Sequence, residues 1–342
     1  MVKNHAMLGN SLNLGFWKNL RSAKKPFLAL APMEDATDYA FREILAKIAP
    51  PDVFFTEFTN TEGLMSVGRE AVIKRLLFSK QQRPIVAQLW GTNPENMRKS
   101  TRIVAELGFD GIDINMGCPD KSVVKVGAGA ALIENWDLAK KLIEAAKKGA
   151  EDAAEVNAKS IPVSIKTRIG FNKIVTEEWC EFLLQQNIAC LTVHGRTKKQ
   201  MSKVPANWGE IEKVVKIRDK LGAETVIVGN GDVKNRAEAE EKATNLGVDG
   251  VMIGRGVFEN PWIFEKIPRT HTKKECLELL LEHTKLFEEI GGKTFAVMKK
   301  FFKIYVKGFD GAVDLREKLM GCENYNEVEA LIAPLISTSL IS

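Results

Sequence analysis

Eight short runs rich in apolar and β-branched residues recur along the chain, at residues 27–30, 53–56, 85–89, 111–114, 163–165, 191–193, 226–228 and 251–253. Amphipathic segments fall between them, among them 95–107, 137–148, 176–186, 208–220 and 235–246. Parallel strands cannot be joined by a tight turn, so each needs a crossover, and the usual crossover is a helix. Strand and helix alternating eight times over about 250 residues is the size and rhythm of a (β/α)8 TIM barrel. An open doubly wound sheet made of the same units is the architectural alternative.

Beyond residue 272 the strand signal stops. Leu277, Leu280, Leu281, His283, Thr284, Phe287 and Ile290 trace one helical face, and Phe295, Met298, Phe302 and Tyr305 trace another at spacings of three and four. Gly291 and Gly292 separate the two, Gly308 ends the second, and a last helix spans 325–335. The expected division is an N-terminal extension over 1–25, a barrel over 26–268 and a small C-terminal helical bundle domain over 269–342.

Composition narrows the class. The chain has 342 residues, 45% hydrophobic and 27% charged, enough for one large domain and a smaller one. Its apolar runs are far shorter than the ~20 residues that cross a bilayer, and residues 1–13 lack the three regions of a signal peptide. A cytoplasmic protein with no membrane partner is therefore expected. Five cysteines without a CxxC pair fit reduced thiols, and four scattered histidines give no pattern for a metal. The net charge of +5 is uneven: residues 266–318 carry 12 Lys and Arg against 8 Asp and Glu. Such a module can meet a polyanion, or simply present a solvated face. Lys299, Lys303 and Lys307 fall four apart and would form a basic stripe if one helix carried them all.

Chemistry concentrates at the strand ends. After the run at 111–114 come Asn115, Met116, Gly117, Cys118 and Pro119, a Gly/Pro turn that lifts a thiol to the carboxyl face of the sheet. The other strand ends deliver Pro32 and Met33, Gln88, Lys166 and Arg168, His194, then Asn230, Gly231 and Asp232, and finally Gly254 with Arg255. Any one of these has a bland explanation as a solvated charge or a structural donor. The two glycine turns after the seventh and eighth strands suit a phosphate, with Arg255 adding a charge-assisted hydrogen bond. An ammonium at Lys166 could stabilise an anion delocalised over a ring such as a reduced flavin, or form a Schiff base. The amides of Gln88 and Asn115 could pair with the imide edge of a ring. Gly127 and Gly129 imitate a dinucleotide fingerprint, but Leu132 stands at its third glycine, so a plain loop is the better reading.

Taken together, Ala31-Pro32-Met33-Glu34, Gln88-Leu89-Trp90-Gly91, Asp113-Ile114-Asn115-Met116-Gly117-Cys118-Pro119, Lys166-Thr167-Arg168, His194-Gly195-Arg196-Thr197, Gly229-Asn230-Gly231-Asp232 and Gly254-Arg255-Gly256 closely resemble the tRNA-dihydrouridine synthases, in the same order. The resemblance is strong over 26–264 and weaker over 298–319, where Tyr305, Lys307, Gly308, Leu315 and Arg316 carry it. It implies a barrel holding FMN, with Pro32, Met33, Glu34 and Gln88 at the ring, Lys166 at its electron-accepting edge and His194 beside it. Asn230, Gly231, Asp232, Gly254 and Arg255 would take the phosphate end. Asn115 would position the uracil, Cys118 would give the proton, and Arg168, Arg196, Lys299, Lys303 and Lys307 would face the substrate. The implied partners are tRNA and NAD(P)H, and the expected state is a monomer.

That chemistry is self-consistent. Hydride added at carbon 6 of uracil, β to a carbonyl, leaves charge on carbon 5, which an acid must then protonate. A thiol with a pKa of about 8.5 is mostly protonated at neutral pH and can do so. Cys180, Cys190, Cys276 and Cys322 read instead as small buried hydrophobes. The loop Ser202-Lys203-Val204-Pro205 lacks a glycine often found there in relatives, and Val126 stands where many have a polar residue. Three other functions fit parts of the pattern. A dihydroorotate-dehydrogenase-like flavin barrel would act on free pyrimidines, a lyase would be trapped at Lys166 by borohydride, and a non-catalytic RNA-binding protein would carry no flavin.

Overall fold

The computed structural model describes residues 12–156 and 158–338. The first eleven residues of the expected extension and the last four of the tail lie outside them. Nine parallel strands are present: β1 (Phe27–Leu30), β2 (Phe54–Phe55), β3 (Thr59–Asn60), β4 (Ile85–Trp90), β5 (Gly111–Met116), β6 (Val163–Arg168), β7 (Cys190–His194), β8 (Val226–Asn230) and β9 (Gly250–Ile253). They pair in the order β1-β9-β8-β7-β6-β5-β4-β2, and a bridge between Ala29 and Val53 closes the ring. Because β3 pairs with the far end of β4, β2 and β3 are two pieces of one interrupted second strand. The fold is thus a (β/α)8 barrel rather than an open sheet.

The crossover helices start where the sequence can cap them. Asn93, Asn135, Asn207 and Asn235 each accept a hydrogen bond from the backbone N–H three residues on, opening the helices Pro94–Glu106, Trp136–Glu155, Trp208–Leu221 and Arg236–Leu246. One crossover helix, Tyr39–Ile48, has no counterpart among the segments expected from the sequence; Asp38 caps it.

Strand alternation sorts the side chains. Leu28, Leu30, Ile112, Ile114, Ile165, Leu191, Val193, Ile227 and Ile253 join the core under the helices. Phe27, Ala29, Val86, Cys190, Val226, Val228 and Met252 join a second core inside the barrel. The segment expected as an extension closes that inner core from below. Its helix Trp17–Ser22 buries Trp17, whose ring lies 5.8 Å from Phe27 and 6.4 Å from Phe55.

The tail is helical. Lys273–Ile290 begins with a capping box between Thr272 and Glu275 and packs on Tyr39–Ile48 of the barrel and on Tyr325–Thr338. Its docking face includes Phe41, Phe301 and the fully buried His283, with ring centroids 4.7–5.5 Å apart. The second helical face is not one helix. Ala296–Lys299 and Phe302–Tyr305 are single turns, and Met298, Phe301 and Ile304 donate their N–H groups to carbonyls three residues back. Across such a break, positions four apart no longer share one helical face. The basic stripe expected from Lys299, Lys303 and Lys307 therefore does not form. Lys299 reaches Glu323 at 2.8 Å, Lys307 bonds the Glu259 carbonyl, and Lys303 stands exposed between them.

Two outcomes follow from this packing. Trp17→Ala should destabilise the barrel by about 3–5 kcal/mol in urea unfolding, whereas Trp17→Phe should cost far less. The buried Trp17 Nε1 has no hydrogen-bond partner among the described residues, so the phenyl ring loses volume but none of the bonds seen there. Equal losses would place the plug's contribution in the indole N–H. His283 gives a pH dependence. Burial pushes it down to about 3, so the folded protein holds a neutral imidazole while the unfolded chain takes up a proton near pH 6.5. Its contribution is whole above pH 6.5 and is lost as pH falls toward 3, by at most on the order of 1.4 kcal/mol per pH unit. His283→Gln should flatten the acid limb of the stability profile relative to wild type; parallel profiles would show that another group sets it.

Candidate active site

The inward residues of the upper strands meet at the barrel mouth. Beneath it runs a buried polar chain. Ser164 Oγ and Gln88 Nε2 each donate to the Asp113 carboxylate at 2.7 Å, and Asn115 Nδ2 donates to Gln88 Oε1 at 2.9 Å. Burial raises Asp113 to about 6 despite these two donors. Asn115 Oδ1 in turn accepts the N–H groups of Gly117 (3.1 Å) and Cys118 (2.8 Å), which fixes the turn carrying the thiol. Both amides are thus committed to bracing, one layer below the surface expected to meet a ring or a uracil.

The glycine pair that imitates a dinucleotide motif braces the same turn. Ala130 N donates to the Cys118 carbonyl at 3.0 Å, and Gly129, at φ +59°, leaves no room for a Cβ, which would meet that carbonyl at 2.8 Å. Cys118 lines a cavity of about 600 Å³ with Glu34, Asn60, Arg75, Trp90 and Met201. Burial pushes its thiol up, and the Asp120 and Glu34 carboxylates add to that, against the Asp120 N–H and Arg168. Sγ is protonated at neutral pH. Cys180, Cys190 and Cys322 are buried as expected, while Cys276 is half-buried.

A second cavity of about 750 Å³ is lined by Pro32, Met33, Lys166, His194, Gly254 and Arg255, together with Arg168, Arg196 and the turn Asn230 to Asp232. Lys166 Nζ donates to Asn230 Oδ1 at 3.2 Å, and Asn230 Nδ2 to the Met252 carbonyl at 2.8 Å. Burial first, then Arg168, lowers Lys166 to about 8, with Asp113 opposing. Burial lowers Arg168 to about 10, and its Nε donates to the Gly117 carbonyl at 2.7 Å. His194 is driven far below its ordinary range by burial and by Arg168, Lys166, Arg196 and Arg255, so it is a neutral imidazole. Neither Lys166 nor Arg168 has a carboxylate ion-pair partner among the described residues. A buried guanidinium and a half-buried ammonium without a carboxylate suit an anionic ligand.

The phosphate-type turn is built by geometry that only glycine allows. Gly231 has φ +140°, and a Cβ there would lie 2.5 Å from Ala206 Cβ. Asp232 follows at φ +47° and takes Ala206 N–H at 2.9 Å, the Arg196 guanidinium and Arg255 at 3.2 Å. Arg196 also donates to the Val204 carbonyl at 2.6 Å and meets His194 Nε2 at 3.2 Å. Its guanidinium is therefore bound within the protein, joining the turn to the loop 197–204, rather than facing a substrate. This donor set, cationic and glycine-cradled beside a broad cavity, fits a phosphorylated planar cofactor.

The two cavities adjoin. Consecutive residues Met33 and Glu34 line one each, as do Arg168 and, across its hydrogen bond to Gly117, Cys118. Glu34 therefore belongs to the thiol side, where it pairs with Arg75 at 2.5 Å. Sequence reading missed Arg75, which sits in the irregular stretch after the interrupted second strand and carries no periodic signal. It also missed Met201, at φ +54° in the loop over the thiol cavity. Asp113 was within reach, being two residues before Asn115 on the same strand face. Among the described residues Glu34, Asp35 and Glu57 are close enough to share an ion, but Arg75 and Lys293 already pair with them. No helix of the described residues is long and apolar enough to cross a membrane.

Comparison with known proteins bears on the same residues. The chain is 45% identical over 322 residues to a Staphylococcus aureus (strain COL) protein named "Probable tRNA-dihydrouridine synthase", covering 93% of this chain and 94% of that one. A Bacillus subtilis (strain 168) protein named "Probable tRNA-dihydrouridine synthase 2" is 44% identical over 322 residues, covering 93% and 95%. A solved structure of 2-naphthoyl-CoA reductase with 2-naphthoyl-CoA matches at a TM-score of 0.50 and 10% identity, over 70% of this chain and 49% of that one, a likeness of fold alone. The model of the dihydrouridine synthase family matches residues 29–339, a span that takes in the thiol turn, the cationic cavity and the helical tail, and the chain belongs to that family.

Proposed function

We propose that the protein is a tRNA-dihydrouridine synthase that saturates the C5=C6 bond of uridines in tRNA, with FMN as its resident cofactor and NAD(P)H as its reductant. The observation that carries this reading is a protonated thiol beside a glycine-turned cavity in which Lys166 and Arg168 have no carboxylate partner among the described residues, side by side at one barrel mouth. Family membership and the two named relatives favour RNA over a free pyrimidine as substrate.

Bound FMN supplies the two-electron hydride chemistry. Lys166, Arg168 and the neutral His194 would hold it at the ring side, and the turn Asn230, Gly231, Asp232 with Gly254 and Arg255 at the phosphate end. Cys118 Sγ faces the adjoining cavity and holds its proton until negative charge develops on uracil carbon 5. A thiol raised by burial is a weak acid toward water but a competent one toward a carbanion, so it keeps its proton between turnovers. Trp90 and Phe58 line the same cavity and offer flat faces for a base. Barrel and tail together would hold the tRNA; the three tail lysines no longer carry that role as a unit.

Cys118→Ala should leave the cofactor bound and reducible by NAD(P)H while dihydrouridine formation on tRNA falls by ~100-fold or more. Normal turnover in this variant would place the acid elsewhere. Alkylation of Cys118 by iodoacetamide, followed by mass spectrometry, should still be rising with pH where the alkylation of a free cysteine has levelled off, because burial holds the thiolate back. The purified protein should be yellow and release FMN, not FAD. Arg255→Ala should weaken FMN retention about tenfold, the low end for a charged hydrogen bond because its side chain is 63% exposed. Unchanged affinity would remove Arg255 from the phosphate site.

A further inference from the structure

Lys293 follows Gly291 and Gly292, which at φ +61° and +87° turn the chain out of the helix Lys273–Ile290 and back onto the barrel. There its Nζ lies 2.6 Å from Glu57 Oε1, 3.2 Å from Asp35 and 3.8 Å from Asp38. Glu57 is 2% exposed and sits in the gap between β2 and β3. Its Oε1 also accepts the Asp35 N–H at 2.6 Å, and Asp35 is a non-glycine residue at φ +54°. The loop so held is the one that places Met33 in the cationic cavity and Glu34 in the thiol cavity. Apart from Lys293, the cation nearest Glu57 is Arg75, at 3.9 Å, and it is engaged with Glu34 at 2.5 Å.

From this arrangement we propose that Lys293 is a positioning residue, tying the shape of the barrel mouth to the docked helical module by neutralising the buried Glu57. The inference rests on the dihydrouridine synthase reading. A buried carboxylate without its cation must find another. With Lys293 withdrawn, Arg75 is drawn from Glu34 to Glu57, Glu34 is released beside the thiol, and the strained Asp35 turn loses its anchor. The contact is electrostatically favourable as it stands: burial alone would lower Lys293, and Glu57, Asp38 and Asp35 more than offset it. Lys293 lines a separate small cleft of about 140 Å³ between barrel and tail, not either of the two mouth cavities, so it acts through the loop and not by touching substrate.

The test is Lys293→Met against the double variant Lys293→Met/Glu57→Gln, in which position 57 no longer carries a charge. For the single variant kcat on tRNA should fall about 10- to 100-fold, the scale of a misplaced reacting group, with the Kd for tRNA within about twofold of wild type. The double variant should recover to within about threefold, because the glutamine Oε1 still accepts the Asp35 N–H. An unchanged kcat, a loss confined to Kd, or a double variant no better than the single overturns the proposal. If Lys293→Met does not fold, the double variant decides: activity near wild type supports the role, and a loss of about tenfold or more overturns it. A wild-type protein that makes no dihydrouridine would overturn the functional reading instead. The coupling is then read from the absorption band of the bound flavin, which should shift in Lys293→Met and return in the double variant; an unshifted band refutes it.

Discussion

Closing parallel strands into a ring sends every second side chain into one narrow interior, and in this protein the rest follows from how that interior is filled. The lower layer is apolar and sealed by Trp17. Above it the strands deliver Gln88, Asp113, Asn115, Ser164 and Asn230, polar and nearly out of reach of water, with Lys166 and His194 half-buried among them. Polar groups in such a place must bond to one another or to a ligand. The amides and the carboxylate satisfy each other, so that layer is rigid before anything binds. Lys166 and Arg168 find only neutral acceptors, so the interior carries excess positive charge directed at the mouth. Bracing and binding are separate layers of the same alternation.

The same electrostatics set the protonation states. One low-dielectric mouth raises the thiol, lowers the ammonium and keeps the imidazole neutral, and each shift follows from burial before any specific partner acts. A cationic field would favour a thiolate, and Arg168 acts on Cys118 in that sense, yet burial, with the Asp120 and Glu34 carboxylates, outweighs it and the thiol stays protonated. Burial thus gives the mouth a half dominated by Lys166 and Arg168 and a half with carboxylates beside a protonated thiol, the division on which the proposed chemistry rests.

How far the residues disclosed this depended on whether the signal was local. Strand positions could be read because apolar, β-branched runs repeat along the chain, and the helices because amphipathic segments fall between them. The thiol turn was legible from Gly117 and Pro119, and the phosphate-type turns from paired glycines. The tail lysines misled because a spacing of four means one face only within one continuous helix, and the segment is two single turns, Ala296–Lys299 and Phe302–Tyr305, with Phe301 buried at the break between them. Arg196 misled for a different reason. Its position at a strand end was read correctly, but its partners Val204 and Asp232 come from two loops that only the closed barrel brings together.

The sequence by itself determined the period-two and helical patterns, the residue types at each strand end and the likeness to one enzyme family, because those depend on neighbours along the chain. Tertiary structure alone decided which of those residues line the two cavities and which face each other. It placed Glu34 with the thiol, set Gln88 and Asn115 below the mouth, and brought Arg75, Glu57 and Lys293 together from separate segments. Burial and pairing are properties of contacts between distant segments, and no local pattern records them until the ring has closed.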